Sequence, residues 1–450
     1  MKNLSLCMIV RDEEAMLGRC LESVRGVVDE VVVVDTGSRD RSIELARSHG
    51  ARVVEFPWCD DFAAARNAGL EVAQGKAILW LDADEALAPG AGETILRPLA
   101  SQPLLLGNLP LLDASRLDAT AAEVVSGEAL LRPAVYLPRV FLNSPHVRFR
   151  RRVHETIGPC LARARELVGG HILPVEAPIV HWGNVPELRR TRGKDDRNRK
   201  LIERVLADDP EDGDMAGYYA GVLFTEGDLD GVLALGERTL PGFFARLRRS
   251  KDLRLEPSPV PLATHVTAVH VLRGDADAAL RVTAGATPVC CEPHPNLIFL
   301  EGVALEMRGE YALAEERFRA CLALADQRFV VPLNPGVTGD AARLRLSNVL
   351  LAQGRPAEAL EFAGVIELPE LACAAALSCA EAELDLGRPK DALEALVPLL
   401  DRGLAAPDLF ILASDAASAL GVPDPAFTRA ARELADRPWF DGRRKQRLGP

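Results

Sequence analysis

The sequence has no CxxC pair, no long apolar run and no surplus of positive charge, and each absence excludes something. Nine cysteines are scattered along 450 residues, and only Cys290 and Cys291 are adjacent. Without a paired framework they read as ordinary thiols of a reduced, intracellular protein. No stretch approaches the roughly 18 apolar residues of a membrane span. The opening MKNLSLCMIVRDEE has too short an apolar segment, closed too soon by acids, to read as a secretory signal. The expected compartment is therefore the cytoplasm. Acids outnumber bases 65 to 53, for a net charge of −12, which argues against the basic face of a general nucleic-acid binder. Two phosphate-binding loops are missing as well. The turn after the first apolar run reads VRDEEAML where a dinucleotide fold needs GxGxxG, and GxxxxGK[ST] occurs nowhere.

What is present begins with alternating strands and helices. LSLCMIV (4–10), EVVVVD (30–35), ARVVEF (51–56) and AILWL (77–81) are short apolar or β-branched runs. Between them, Leu17, Cys20, Leu21 and Val24 recur at helical spacing, RSIELARSHG ends in Gly50, and DFAAARNAGLEVAQG places Phe62, Ala65, Gly69 and Val72 on one face. This alternation predicts a mostly parallel, Rossmann-like α/β sheet, whose ligands bind at the carboxyl ends of the strands. Arg11 to Glu14, Asp35, Asp82 and Asp84 all fall at those ends. The pattern weakens from Ser101 to Val185, where AVYLPRVFL, VRFRRRVHETI and EAPIVHWGN are strand candidates.

After Pro186 the chain turns helical and repetitive. GDLDGVLAL, GDADAALRV, GEYALAEERF, GRPAEALEFA and GRPKDALEAL each place a glycine (Gly227, Gly274, Gly309, Gly354, Gly387) before a second helix. The spacings scatter around the roughly 34-residue tetratricopeptide period, with inserts such as QRFVVPLNPGVTG. Small Gly302 and Ala314 are expected where paired helices meet. The expected organisation is an α/β domain over 1–187, tetratricopeptide-like helices over 188–440 and a basic tail over 441–450.

AILWLDADEAL is the most informative stretch, because an apolar run ends abruptly in Asp82, Asp84 and Glu85. Alone, DADE reads first as a solvated, helix-capping turn and only second as a site for Mg²⁺ or Mn²⁺, hard cations that take oxygen ligands and bridge to phosphates. Its neighbours favour the second reading. Taken with SLCMIVRDEEAMLGRCLESV, VDEVVVVDTGSRDRS, WCDDFAAARNAGLEVAQGK and RRVHETI, the stretch resembles glycosyltransferase family 2, of GT-A fold. The nearest likeness is the subgroup with C-terminal tetratricopeptide repeats, which includes sublancin-type peptide S-glycosyltransferases. The match is dense over Leu4–Leu87 and returns over Arg139–Asn184.

The resemblance implies an inverting, metal-assisted hexosyltransferase that uses a nucleotide-diphosphate sugar, usually a UDP-sugar. It implies that Val10, Arg11, Glu13 and Ala83 line the nucleotide pocket, that Asp35 contacts uracil or ribose, and that Asp82 lies near the ribose and the metal waters. Asp84 would ligate Mn²⁺ or Mg²⁺, with Asp82 and His181 as further metal-site residues. Arg66 would orient the acids or contact phosphate; its simpler reading is a salt bridge to Asp60 or Asp61. Glu155 would be the base that deprotonates the acceptor. Ser38 and Asp40 have a sufficient role as helix cap and first-turn acid. His154 fits either acceptor orientation or the core. Arg151 and Arg152 fit an anionic acceptor or solvent. The segment 189–200, RRTRGKDDRNRK, reads as a solvated helix face or as a flap over the diphosphate. The repeats offer an extended surface for a peptide, protein or glycan acceptor, or for homodimerisation. The competing readings are a lipopolysaccharide or polysaccharide glycosyltransferase, and a non-catalytic repeat scaffold carrying a decayed transferase domain. Intact DADE, ARN and HE speak against decay.

Overall fold

The structure is a computed structural model that describes residues 2–448 except 102, 103, 186, 189–193, 254, 255, 328, 330, 332 and 335. The chain divides into two compact units, the first reaching Leu262 and the second taking up most of the remainder.

The first unit is built on a nine-stranded sheet in the order β3-β2-β1-β4-β7-β6-β9-β5, with β8 (His171–Pro174) paired to β6. Strands β1 (Leu4–Val10), β2 (Glu30–Asp35), β3 (Arg52–Glu55) and β4 (Ala77–Trp80) are parallel neighbours. Their β-branched, near-continuous apolar sequences suit strands covered on both faces. Leu4, Leu6, Met8 and Val10 pack on one side with α1 (Leu17–Ser23). Cys7, Val32 and Ile78 pack on the other, beneath α3 (Phe62–Val72) and α6 (Gly158–Val168). Leu79 is fully buried, so its truncation to Ala would cost roughly 2–5 kcal/mol.

The second half of the sheet comes from the stretch whose pattern was weak. Strand β6 (Leu104–Asp113) pairs antiparallel with β7 (Val135–Leu142), and β7 in turn pairs with β4. Helix α5 (Ala121–Ser126) interrupts it behind a Thr120–Glu123 capping box. The short strand β5 (Glu85–Leu87) runs antiparallel to β9 (Ile179–His181), with Glu85 opposite His181. Strand β9 also pairs parallel with β6, which sets Asp113 opposite His181.

VRFRRRVHETI is not a strand. Arg151 and His154 adopt left-handed φ of 78° and 49°, which ends extended pairing, and only an isolated Arg150–Thr156 bridge forms. Helix α3 stops at Val72, short of Gly75, and buries Ala63, Ala65, Arg66, Gly69 and Leu70.

The first unit also continues past residue 187, the boundary expected from composition. Helices α7 (Lys194–Asp208), α8 (Gly213–Glu226) and α9 (Leu229–Leu247) belong to it. Ion pairs show why. Arg151 binds Asp212 and Asp214 at the start of α8, and Arg204 of α7 binds Asp60 at 2.7 Å.

The second unit consists of antiparallel helix pairs. Gly274, Gly309, Gly354 and Gly387 all have left-handed φ of 70–77°, the conformation that ends one helix before the next begins. Asp275 then caps the following helix through the Ala278 amide. In the cleanest repeat, a Cβ on Gly302 would lie 2.8 Å from the Phe318 ring, and Ala314 is fully buried. The C-terminal segment is not a free tail. Residues Gly442–Leu448 form a 3-10 turn in which Arg444 is buried, bonded to Glu381 at 2.8 Å and to Asp408 at 3.2 Å. No described helix is long and apolar enough to cross a membrane.

Candidate active site

The carboxyl ends of β1, β2 and β4 open on a cavity of about 310 Å³. Val10, Arg11 and Glu13 line it from the first loop, Thr36 from the second, and Asp82, Ala83 and Asp84 from the third. Arg66, Val153, His154, Glu155 and His181 complete the inner wall; Trp58, Phe62, Arg197 and Asn198 form the rest.

Arg66 ties two of the expected residues together. Its Nη2 donates to Asp82 at 2.8 Å and its Nε to Glu155 at 2.5 Å. The predicted alternative partners lie elsewhere: Asp60 holds Arg204 and the Trp58 indole, while Asp61 caps α3. The guanidinium stacks on Trp80 at 4.1 Å, and Arg139 stacks on the same ring at 3.8 Å. Arg139 in turn binds buried Glu85 at 2.5 Å. Burial opposes charge throughout this cluster. It would raise the Asp82 carboxyl, but Arg66 and Arg139 hold that group well below the usual carboxylate range. Burial lowers Arg66, but Glu155 and Asp82 outweigh it and keep the guanidinium charged. At Glu85 burial dominates and pushes the carboxyl up against the pull of Arg139.

Asp84 and His181 form a second pair. Asp84 is buried, and its Oδ1 lies 3.7 Å from His181 Nε2. The other ring nitrogen, Nδ1, lies 2.7 Å from Asp113. Asn184 donates to the same Asp113 carboxylate at 3.0 Å, and Arg132 binds its other oxygen at 2.5 Å. A proton held on Nδ1 by Asp113 leaves Nε2 as the atom facing Asp84, the outer-sphere arrangement that orients metal-binding histidines. Burial would lower the His181 pKa, but the bond to Asp113 and the charges of Asp84 and Glu85 raise it. Gly183 keeps this place open: a Cβ there would fall 2.3 Å from Asp84 Oδ2 and 2.5 Å from His181 Nε2.

The expected trio of metal ligands is not assembled as a trio. Asp82 is drawn to Arg66, and no three acid, histidine or cysteine side chains converge among the described residues. The remaining set, one carboxylate and one imidazole beside an open space, still fits Mg²⁺ or Mn²⁺, which are commonly held by one or two protein groups plus substrate phosphates. Asp35 also sits differently from its expected place. It is 4% exposed, and its oxygens accept the amides of Gly37 at 3.0 Å and Ser38 at 3.2 Å. It therefore shapes the loop that presents Thr36. Ser38 and Asp40 accept the amides of Asp12 and Glu14, at 3.1 and 2.9 Å, and so fasten the first loop to the second. His154 stacks on Tyr218, with centroids 3.6 Å apart. Burial, assisted by Arg151, pushes its pKa down to about 4, so it is neutral at pH 7. Arg151 is occupied by Asp212 and Asp214. Residues 189–193 of the basic segment lie outside the described residues, but Arg197 and Asn198 from its end reach the cavity.

Residues 5–157 match the model of the glycosyl transferase family 2. The N-terminal domain is a family 2 glycosyltransferase domain. It has the GT-A-like α/β fold and is followed by tetratricopeptide-like helices. A TPR repeat-containing protein of Synechococcus elongatus is 36% identical over 282 residues, covering 62% of this chain and 64% of that protein. The glycosyltransferase SunS of Bacillus phage SPbeta is 23% identical over 45% of each chain. The chain thus spans less than two thirds of the length of the curated relatives it matches. Among solved structures, glucosyl-3-phosphoglycerate synthase from Mycobacterium tuberculosis, crystallised with Mn²⁺, UDP and phosphoglyceric acid, aligns with a TM-score of 0.33 and 18% identity, over 46% of this chain and 78% of that one.

Sequence reasoning missed Asp113, Arg139 and Gly183. The only advance signal for Gly183 was its place directly after His181-Trp182.

Proposed function

We propose that the protein transfers a sugar from a nucleoside-diphosphate donor, with inversion, to a peptide, protein or glycan acceptor. One observation carries this reading. Asp84 with His181, and Arg66 with Asp82 and Glu155, face a single cavity at the carboxyl edge of a family 2 sheet. Asp84 and His181 would hold a divalent cation, and Gly183 supplies the room. Bound there, Mg²⁺ or Mn²⁺ would stabilise the charge that grows on the departing diphosphate. UDP is the expected nucleotide on the family resemblance.

The chain's own groups do the rest. Arg66 fixes Glu155 so that one oxygen is bonded and the other remains to accept a proton. As the acceptor oxygen or sulfur bonds to the sugar C1, its proton passes to Glu155. The C1–O bond breaks, and its electron pair stays with the diphosphate. Neutral His154, packed on Tyr218, supports the loop that carries Glu155. The repeats supply a surface for the acceptor.

The test is to incubate the purified protein with a panel of nucleotide sugars and Mn²⁺ and to measure release of nucleoside diphosphate. Slow hydrolysis of one donor, lost in Asp84→Ala, is the expected outcome. No release from any donor, with and without cell-extract acceptors, would favour the repeat-scaffold reading.

A further inference from the structure

The inner wall leaves a charge unexplained. Arg66 is bound to Asp82 and Glu155, which balance its charge, and its one nitrogen unpartnered among the described residues, Nη1, is buried. Two other guanidinium groups line the cavity, Arg11 and Arg197. Arg11 is exposed, and its only ion pair among the described residues is a long one of 4.0 Å to its neighbour Asp12. Arg197 has no carboxylate partner among the described residues and stands over the Phe62 ring at 5.1 Å. Partial burial and the like charge of Arg11 both lower its pKa. Two like charges crowding one opening are costly unless an anion lies between them. Asn198, the next residue, also lines the cavity, and its Oδ1 is buried with no hydrogen-bond partner among the described residues. It is an acceptor suited to a ligand hydroxyl.

Helix α7 is also tied to its neighbours by surface ion pairs. Arg204, two turns beyond Arg197, binds Asp60, and Asp60 is itself fixed by the Trp58 indole at 2.9 Å. Arg199 binds Glu226 of α8 at 2.6 Å.

Resting on the transferase reading above, we infer that Arg197 and Arg11 grip the diphosphate of the donor, which makes helix α7 part of the donor site. The two charges complement a group that carries more negative charge in the diphosphate than in the monophosphate.

The inference is tested in the full-length protein by calorimetry with UDP, GDP, ADP and CDP, and with the matching monophosphates, in Mn²⁺. For the best-bound nucleotide, Arg197→Ala should weaken diphosphate affinity at least tenfold and change monophosphate affinity less than threefold. Arg197→Lys should recover part of the loss. Arg197 projects from a helix surface, so an unchanged melting temperature without ligand is expected and serves as the folding control. Equal loss for mono- and diphosphate, or no loss for either, would overturn the assignment and leave the transferase reading standing. Failure of the wild-type protein to bind any nucleoside diphosphate would overturn both.

Discussion

Replacing Glu155 by Gln isolates proton transfer from architecture. The glutamate Oε1 accepts from Arg66 Nε at 2.5 Å, and its side chain is 11% exposed. Glutamine offers a carbonyl oxygen at the same position, so Arg66 keeps that contact and its 2.8 Å bond to Asp82. What changes is the charge of the acceptor: Arg66 stays charged, so the bond remains charge-assisted, and the coulombic part that is lost is on the order of 1 kcal/mol or somewhat more. The expected stability loss is therefore about 1–2 kcal/mol. The catalytic loss is larger. A positioned base contributes about 10²–10⁴ in rate, or ~3–5 kcal/mol at 1.36 kcal/mol per decade. Turnover should fall at least 100-fold well below the unfolding temperature, with donor affinity unchanged within a few fold. A hydroxyl acceptor should show the full effect. A cysteine acceptor should show less, because a few per cent of it is already thiolate near neutral pH. Mass spectrometry follows transfer and calorimetry follows donor binding. Turnover within threefold of wild type would refute the role of base. Loss of donor binding in parallel with turnover would instead place Glu155 in the nucleotide or metal site.

Gly183→Ala should abolish the gain in nucleotide affinity that Mn²⁺ provides while leaving metal-free binding nearly intact, because the new methyl group must displace Asp84 or His181; titrations with and without Mn²⁺ decide it. Arg66→Met leaves Asp82 and Glu155 without their shared cation and should destabilise the first unit by roughly 3–5 kcal/mol, read by hydrogen exchange in α3 and β4. Arg444→Met should produce a loss of similar size confined to the second unit, where Arg444 is 1% exposed beside Glu381 and Asp408. His154 has a folded pKa pushed down to about 4 from 6.5, so the unfolded chain takes up its proton first as the pH falls. Stability should therefore drop between pH 6.5 and about 4, by up to ~3 kcal/mol. His154→Gln should flatten that slope in urea titrations at pH 7 and 4.5, and an unchanged slope would disprove the assignment.

The legible part of the fold was the part whose neighbours in space are neighbours in sequence order. Strands β1 to β4 alternate with helices, so their hydrophobic runs announced both the sheet and the edge where Arg11, Asp82 and Asp84 collect. The antiparallel half was illegible for the opposite reason. Asp113 meets His181 across 68 residues, and Glu85 meets Arg139 across 54. Only the pairing register of β9 between β5 and β6 brings Asp113 and Glu85 to opposite sides of His181. No local pattern encodes that register. The boundary at 187 failed on composition, because helices α7 to α9 resemble the repeats in residue content. Their allegiance is decided by a few ion pairs, Arg204–Asp60 and Arg151 with Asp212 and Asp214.

The acids that end AILWLDADEAL also explain a tryptophan. Trp80 is the last residue of β4, and its indole is fixed by a 2.7 Å bond to the Pro138 carbonyl. Arg66 and Arg139 both lie over the ring, 4.1 and 3.8 Å from its centroid. Two nearly buried guanidinium groups would repel strongly in a low-dielectric interior. Here each also faces a carboxylate: Arg66 faces Asp82 and Glu155, and Arg139 faces Glu85. Each cation is thus stabilised by a carboxylate and by the ring face. The carboxylates are held in turn, so Asp82 and Glu155 cannot turn toward Asp84 without breaking bonds to Arg66. This division keeps one acid, Asp84, for the position beside His181 and Gly183, and another, Glu155, for the acceptor side. A Trp80→Leu substitution would remove the shared platform. The two functions should then fail together, which separates a common support from two independent sites.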